Sequence, residues 1–244
     1  MSLELYYTSA ARGLKPHNRG FCTVARSEGM PGPVVERLES LSNYEPVFAA
    51  GSESAARNPI AWAHWRIPVG TRTRSVLSRV AFVQLDFSGR PGKFAHHLVL
   101  DPKEQSPAGP GSMMMQPEVM KEAWASQPMV LPARRIALAA GDAPTGTLTC
   151  DWTAQLADAF RQDPEKPAYI VYQPGLQLLP LLNQAISLLP IALRWQVTFN
   201  TYFAELPAGL SCTWRCVVAN TSAAAAARNA QGSVIDLTHD SGGN

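Results

Sequence analysis

The sequence predicts an α+β fold: a β-rich antiparallel first lobe, then a second lobe of mixed sheet with packed helices. Three observations carry this. Before residue 102, runs of β-branched and aromatic residues alternate with turn residues and leave room for one clear helix. After residue 150, helical and strand patterns alternate. Between them, prolines 102, 107, 110, 117, 128 and 132 and glycines 109 and 111 break the chain repeatedly. The expected organisation is therefore a lobe over 1–102, a Pro/Gly/Met-rich connection over 103–135, and a mixed lobe over 136–244, which can also form one unit.

In the first lobe, "LELYYTS" (3–9) and "FCTVARS" (21–27) read as strands joined by the turn-rich "ARGLKPHNRG". "GMPGPVVERLESLSNY" gives a helix, with Pro33 in its first turn and Val34, Val35, Leu38 and Leu41 on one face. "GSESAARNP" holds a short helical turn. "IAWAHWRIPV" and "RTRSVLSRVAFVQLD" form a hairpin through Gly70-Thr71. Arg72 and Arg74 share a face of the second strand and Arg79 lies opposite. "KFAHHLVLD" is the next strand. In the connection, a short helix is expected over about 117–125, and Met113, Met114 and Met115 read as core filling rather than as exposed adaptable surface.

In the second lobe, "DWTAQLADAFRQDP" is an amphipathic helix. Asp151 is its expected N-cap, and Trp152, Leu156 and Phe160 line one face. "AYIVYQP" is a strand apolar enough to be central. "LLPLLNQAISLLP" is a helix between Pro180 in its first turn and Pro190 past its end. "RWQVTFNTYF" and "LSCTWRCVVAN" read as strands joined by "AELPAG". "SAAAAARNA" is a helix, "SVIDLT" a last strand and "HDSGGN" a tail. The polar face of "WQVTFNTYF" is read as cross-strand hydrogen bonding rather than as a groove lining.

The 244 residues are 46% hydrophobic and 16% charged, with formal net charge +2. So low a charged share suggests that some surface faces a partner. The balance does not imply nucleic-acid binding, and Tyr6, Tyr7, Trp62 and Trp65 near Arg66 and Arg74 do not form a recognisable base-stacking motif. The longest apolar stretch, Leu176–Leu193, is interrupted by Gln177, Pro180, Asn183, Gln184 and Pro190, so no membrane contact is expected. The N-terminus lacks a signal-peptide pattern, which makes the cytoplasm the expected compartment. Cys22, Cys150, Cys212 and Cys216 form no CxxC and read as reduced thiols.

Chemistry is sparse. No phosphate-binding glycine loop, HExxH or nucleophile elbow occurs. The pair His96-His97 sits on a strand, where neighbours point to opposite faces, so the two cannot readily ligate one metal. No metal and no cofactor are expected. One histidine is expected to be buried, bonded to backbone or to a side chain such as Asp86. The other is expected to face a groove beside the turn holding Arg90 and Lys93. Asp86, Arg90, Lys93, His96 and His97 are thus the candidate binding groove, and a ligand sensor or an enzyme built on it is the alternative function.

"GFCTVARSEGMP", "GRPGKFAHHLVLDP" and "YQPGLQLLPLLNQAISLLPIALRWQVTFNTYF" with "CTWRCVVAN" resemble one bacterial family. It is the type 2 N-terminal domain of GTPase-associated proteins from ternary GTPase systems linked to conflict and signalling. The resemblance covers nearly the whole chain. The family pattern has Thr-Asn before the lysine, where this chain has Pro91-Gly92. What the resemblance implies is a non-enzymatic assembly or adaptor module, partnered by a small GTPase and other components of its system. It carries over no catalytic residue. The Gly-rich end at Gly242-Gly243 fits a linker, so the natural protein is expected to extend further.

Overall fold

A ten-stranded sheet runs through both halves of the chain in a computed structural model that describes residues 1–86, 89–136 and 151–238. Cys150 and the tail at 239–244 lie outside the described residues. The strands are β1 Leu3–Ala10, β2 Gly20–Ser27, β3 Ala61–Val69, β4 Arg72–Leu85, β5 Pro91–Val99, β6 Met129–Leu131, β7 Ala168–Tyr172, β8 Phe199–Asn200, β9 Trp214–Val218 and β10 Ser233–Asp236. The helices are α1 Gly32–Ser40, α2 Pro110–Met115, α3 Asp151–Gln162, α4 Leu178–Ser187, α5 Ile191–Arg194 and α6 Ser222–Arg228. The order across the sheet is β10-β7-β9-β8-β3-β4-β5-β1-β2-β6. The first half pairs antiparallel except for β2 with β6, and the β10, β7, β9 and β8 pairs are parallel. An antiparallel pairing of β3 with β8 joins the halves.

The period-2 alternation of the strands divides the core into two layers. Leu77, Leu98, Ile170, Tyr172, Trp214 and Cys216 face α2, α3 and α4. Their chain neighbours Val76, Val99, Val171 and Val217 face the other way, toward Val34, Val35 and Leu38 of α1 and Ala224 and Ala227 of α6. Gly70, at φ 62, makes the β3–β4 turn in a backbone region that L side chains avoid.

Three elements differ from the sequence expectation. The helix expected at 117–125 lies earlier, at Pro110–Met115, where Pro110 suits a first helical position. Residues 116–124 instead form a strap over the sheet. Glu118 has φ 66, and the Lys121 N–H is taken by the His96 ring, so a continuing helix is blocked. Met113 and Met114 are buried in the core, as core-filling methionines should be. Second, "RWQVTFNTYF" shrinks to the two residues of β8. Pro190 opens α5 ahead of it, and Arg194 pins the segment by donating to the carbonyls of Leu189, Pro107 and Ser187 at 2.9–3.0 Å. Its Thr198 hydroxyl bonds Thr213 instead of lining a groove. Third, the unexpected β6 is a short strand between Pro128 and Pro132 at the sheet edge, a place that tolerates flanking prolines. Asp151 is the first residue of α3 rather than its cap, and its carboxylate suits the positive end of the helix dipole.

Candidate functional site

The opposite orientation of His96 and His97 follows from β5, but both rings are fully buried. On the strap side, β3, β4, β5 and β1 place Trp62, Arg79, His96 and Tyr6 in one cross-strand row. Glu4, two residues before Tyr6, shares that face. His96 Nδ1 accepts the Lys121 N–H at 2.8 Å. The ring proton therefore sits on Nε2 and donates to Glu4 Oε1 at 3.1 Å. The same oxygen accepts from Arg134 Nη1 at 2.7 Å. Burial alone would raise the Glu4 pKa, but the hydrogen bonds from His96 and Arg134 and the Arg134 charge hold it below the usual range. Burial outweighs the Glu4 charge at His96 and keeps that ring neutral.

On the opposite face, His97 lies between two serines at the end of α1 and on β4. Ser42 Oγ donates to Leu38 O, so it accepts from His97 Nε2 at 2.9 Å. Ser78 Oγ then donates to Nδ1 at 2.8 Å. Burial, helped by His96, pushes the His97 pKa down to about 3. A Ser-His-Ser set closed off from solvent cannot meet a substrate, so these bonds fix the docking of α1 on the sheet.

Asp86, Arg90 and Lys93 lie at the other end of the β4–β5 hairpin. Asp86 accepts from Ser9 Oγ at 2.6 Å and from the Arg90 N–H at 3.0 Å, which closes the turn. The Lys93 ammonium lies 5.0 Å from the Phe21 ring centre and 6.0 Å from that of Tyr7. The structure thus brings Asp86 and Arg90 together at the turn and encloses both histidines elsewhere. The expected groove-facing histidine is corrected. His96 finds its partners in Glu4 and the strap, His97 in Ser42 and Ser78, and neither is Asp86. Nothing near the histidines in sequence signals these partners, because Glu4, Ser42 and Lys121 are all distant along the chain.

A concave site that the sequence did not suggest lies at the carboxyl end of β7. The β7–α4–β8 connection runs over one face of the sheet and β9–α6–β10 over the other, and such a divergence opens a crevice at strand carboxyl ends. A cavity of about 860 Å³ there is lined by Arg57, Trp152, Gln155, Gln173, Gly175 and Leu176, among others. Arg57 donates to Pro174 O at 3.0 Å and lies over the Phe48 ring. The "YQPG" turn after a central strand was the available sequence signal. Arg57 comes from a loop more than a hundred residues away and carried none. The lining offers hydrogen bonds, one cation at Arg57, one carboxylate at Asp151 and apolar surface. Among the described residues no group of three or more His, Cys, Asp or Glu side chains could hold a metal.

Fold and site together define an α+β protein built on one mixed sheet with helices on both faces. The chain belongs to the GTPase-associated protein 1 family: residues 1–135 match the type 2 N-terminal domain of GTPase-associated protein 1, and residues 139–239 match its middle domain. The family expected from the sequence is thus shown, while the second half, read there as part of the N-terminal domain, matches the middle domain. No curated protein and no solved structure gives a significant match.

Proposed function

We propose that the chain is a non-enzymatic assembly module of a bacterial GTPase-linked conflict or signalling system, acting in the cytoplasm and binding a small GTPase. The family membership carries this reading, since both matched domains are named for association with a GTPase. The burial of His96 and His97 supports the non-enzymatic part, because the most reactive pair in the sequence is enclosed and neutral. The absence among the described residues of a helix long and apolar enough to cross a membrane agrees with an aqueous setting. In this reading the lobes 1–102 and 136–244, with the connection 103–135 between them, act as one scaffold. Asp86, Arg90 and Lys93 remain a proposed contact surface at the β4–β5 turn.

Co-expression with the small GTPases of the same bacterium tests the proposal. A stable complex, resolved by size-exclusion chromatography and kept in a His97→Asn variant, is the expected result. Turnover in a hydrolase and nucleotide screen that disappears in the same folded variant overturns the non-enzymatic reading. Failure of every one of these GTPases to bind overturns the assembly reading.

A further inference from the structure

The cross-strand row contains one group that its surroundings leave unsatisfied. The Arg79 side chain is only 7% exposed. Among the described residues its Nε has no partner. Its terminal nitrogens, again among the described residues, reach only the Glu122 carbonyl at 3.5 Å and the Glu122 carboxylate at 3.9 Å, and the Glu122 side chain is 81% exposed. A guanidinium has five N–H donors, and a buried one is normally paired by a carboxylate in close contact. Glu122 is a distant and solvated substitute.

This guanidinium lies between the Trp62 ring, 5.4 Å from its centre, and Glu122. Both residues line a cavity of about 520 Å³ between the strap and the start of α4, and the guanidinium lies behind that wall, reached from the cavity where the exposed Glu122 side chain swings aside. The other walls combine the apolar Met114, Met115, Met120, Leu179, Pro117 and Pro180 with the polar Gln116, Gln177, Glu118 and Lys121. Methionine-rich walls adapt to varied apolar shapes. The remaining cation, Lys121, is already paired with Glu118 at 2.5 Å. A polyanion would meet both Glu118 and Glu122, so the site favours a single negative charge.

We propose that this cavity binds a monocarboxylate carried on an apolar or aromatic body. The carboxylate takes the place of the Glu122 side chain at Arg79, and the apolar body lies against Trp62 and the methionines. The ligand can be a free organic acid or the carboxyl terminus of a peptide. The proposal goes beyond the GTPase-linked reading and does not depend on it.

Calorimetric titration of the whole chain tests this. The probes are phenylacetate and hexanoate, their neutral amides, inorganic phosphate, and N-acetyl-Leu-Leu as free acid and as C-terminal amide. The acids should bind saturably and at least about tenfold more tightly than the matching amides, as expected for a charge-assisted pair. A preference for the Leu-Leu acid over phenylacetate identifies a peptide terminus, and the reverse a free acid. Arg79→Lys keeps the charge but loses the planar fork, and should weaken acid binding at least fivefold. Because Arg79 is buried, that variant can fail to fold, and the exposed Glu122→Gln supplies an independent measurement. Removing the competing carboxylate should tighten acid binding severalfold. No saturable binding of any acid up to tens of millimolar, equal binding of acid and amide, phosphate binding as tight as the acids, or no change in Glu122→Gln each overturns the proposal.

Discussion

The two halves of the sheet are held together by different chemistry. Between residues 1 and 136 the buried polar set includes Glu4, His64, Arg79, His96, His97 and Glu104. Between residues 151 and 238 it consists of Thr153, Asn183, Thr198, Thr201 and Thr213, with no carboxylate, imidazole, lysine or arginine. The antiparallel half thus ties distant segments to the sheet through ionisable groups: the strap through His96, Arg134 and residue 118 through Glu4, and α1 through His97. The parallel half closes with apolar side chains from both sheet faces. Burial of charge costs free energy unless partners are complete, so the first half depends on exact pairing and on pH. The second depends on shape and area.

The largest test of this contrast is Glu4→Ala. It removes the acceptor of both His96 and Arg134, and breaking a buried pair in this way costs about 3–5 kcal/mol. Leu182→Ala in α4, a fully buried apolar truncation, should cost about 2–5 kcal/mol. The two differ in kind. Urea unfolding should show the Glu4→Ala loss shrinking in acid, where the wild-type carboxylate is itself protonated, and the Leu182→Ala loss staying constant. Equal behaviour of both variants across pH would abolish the distinction.

Acid should act on the first half through its neutral histidines. His64 is pushed down to about 4 and His97 to about 3 by burial, from an unfolded value of 6.5. The unfolded chain therefore binds more protons than the folded one over that range. Stability is fully present above pH 6.5 and falls as pH drops toward 4 for His64 and 3 for His97. Each ring contributes a slope of about 1.4 kcal/mol per pH unit inside its window. Glu4, whose folded value is depressed, adds loss of the same sign only below its unfolded value of 4.5. Denaturation midpoints measured on the wild type and on His64→Asn/His97→Asn should show the double variant losing the share of the slope above pH 4.5 that these two rings supply, with the remainder due to His96, which burial also holds below 6.5. An unchanged slope would mean that these rings are not the acid-sensitive groups.

A smaller effect separates the two serines at His97. Ser78 donates to a ring nitrogen that has no other donor, so Ser78→Ala leaves a buried acceptor unsatisfied and should cost about 1–3 kcal/mol. Ser42→Ala should cost a similar amount and also free the end of α1, because Ser42 bonds Leu38 O as well. Hydrogen exchange distinguishes them: α1 amides should lose protection selectively in Ser42→Ala. Uniform loss in both variants would show that the imidazole does not transmit the tie between α1 and β4.

Which parts were legible in sequence follows from the same contrast. Periodicity marks which face of a strand is apolar, so β1 to β5, β7, α1, α3 and α4 could be read from residue spacing alone. It is silent on partners for buried polar atoms. Residues 117–125 carry a helical pattern, yet Lys121 gives its N–H to His96 and Glu118 adopts φ 66. Residues 194–203 carry a strand pattern, yet Arg194 bonds three carbonyls and shortens the strand to two residues. In both places long-range hydrogen bonds override local propensity. The groove-facing histidine was misread for that reason too. Side-chain alternation placed His96 and His97 on opposite faces, but only Glu4, Ser42 and the strap, supplied from elsewhere in the chain, decide that both faces are covered.

The smallest expected effect lies in the parallel half and tests its independence from charge. Helix α6 is a run of alanines after Thr221, whose hydroxyl accepts the Ala224 N–H at 3.2 Å and donates to Val218 O at 2.7 Å. Ala224 and Ala227 bury the helix against Val171 and Val217, but alanine side chains contribute little area, so the cap is a sizeable share of what holds this end. Thr221→Ala should cost about 1 kcal/mol, within the usual range for a lost N-cap. Thr221→Ser, which keeps the acceptor, should recover most of it. Because no ionisable group takes part, the loss should be the same at pH 7 and at pH 5. A loss that grows in acid would show that α6 is coupled to the buried histidines across β8 and β3. The two halves would then respond to protonation as one unit.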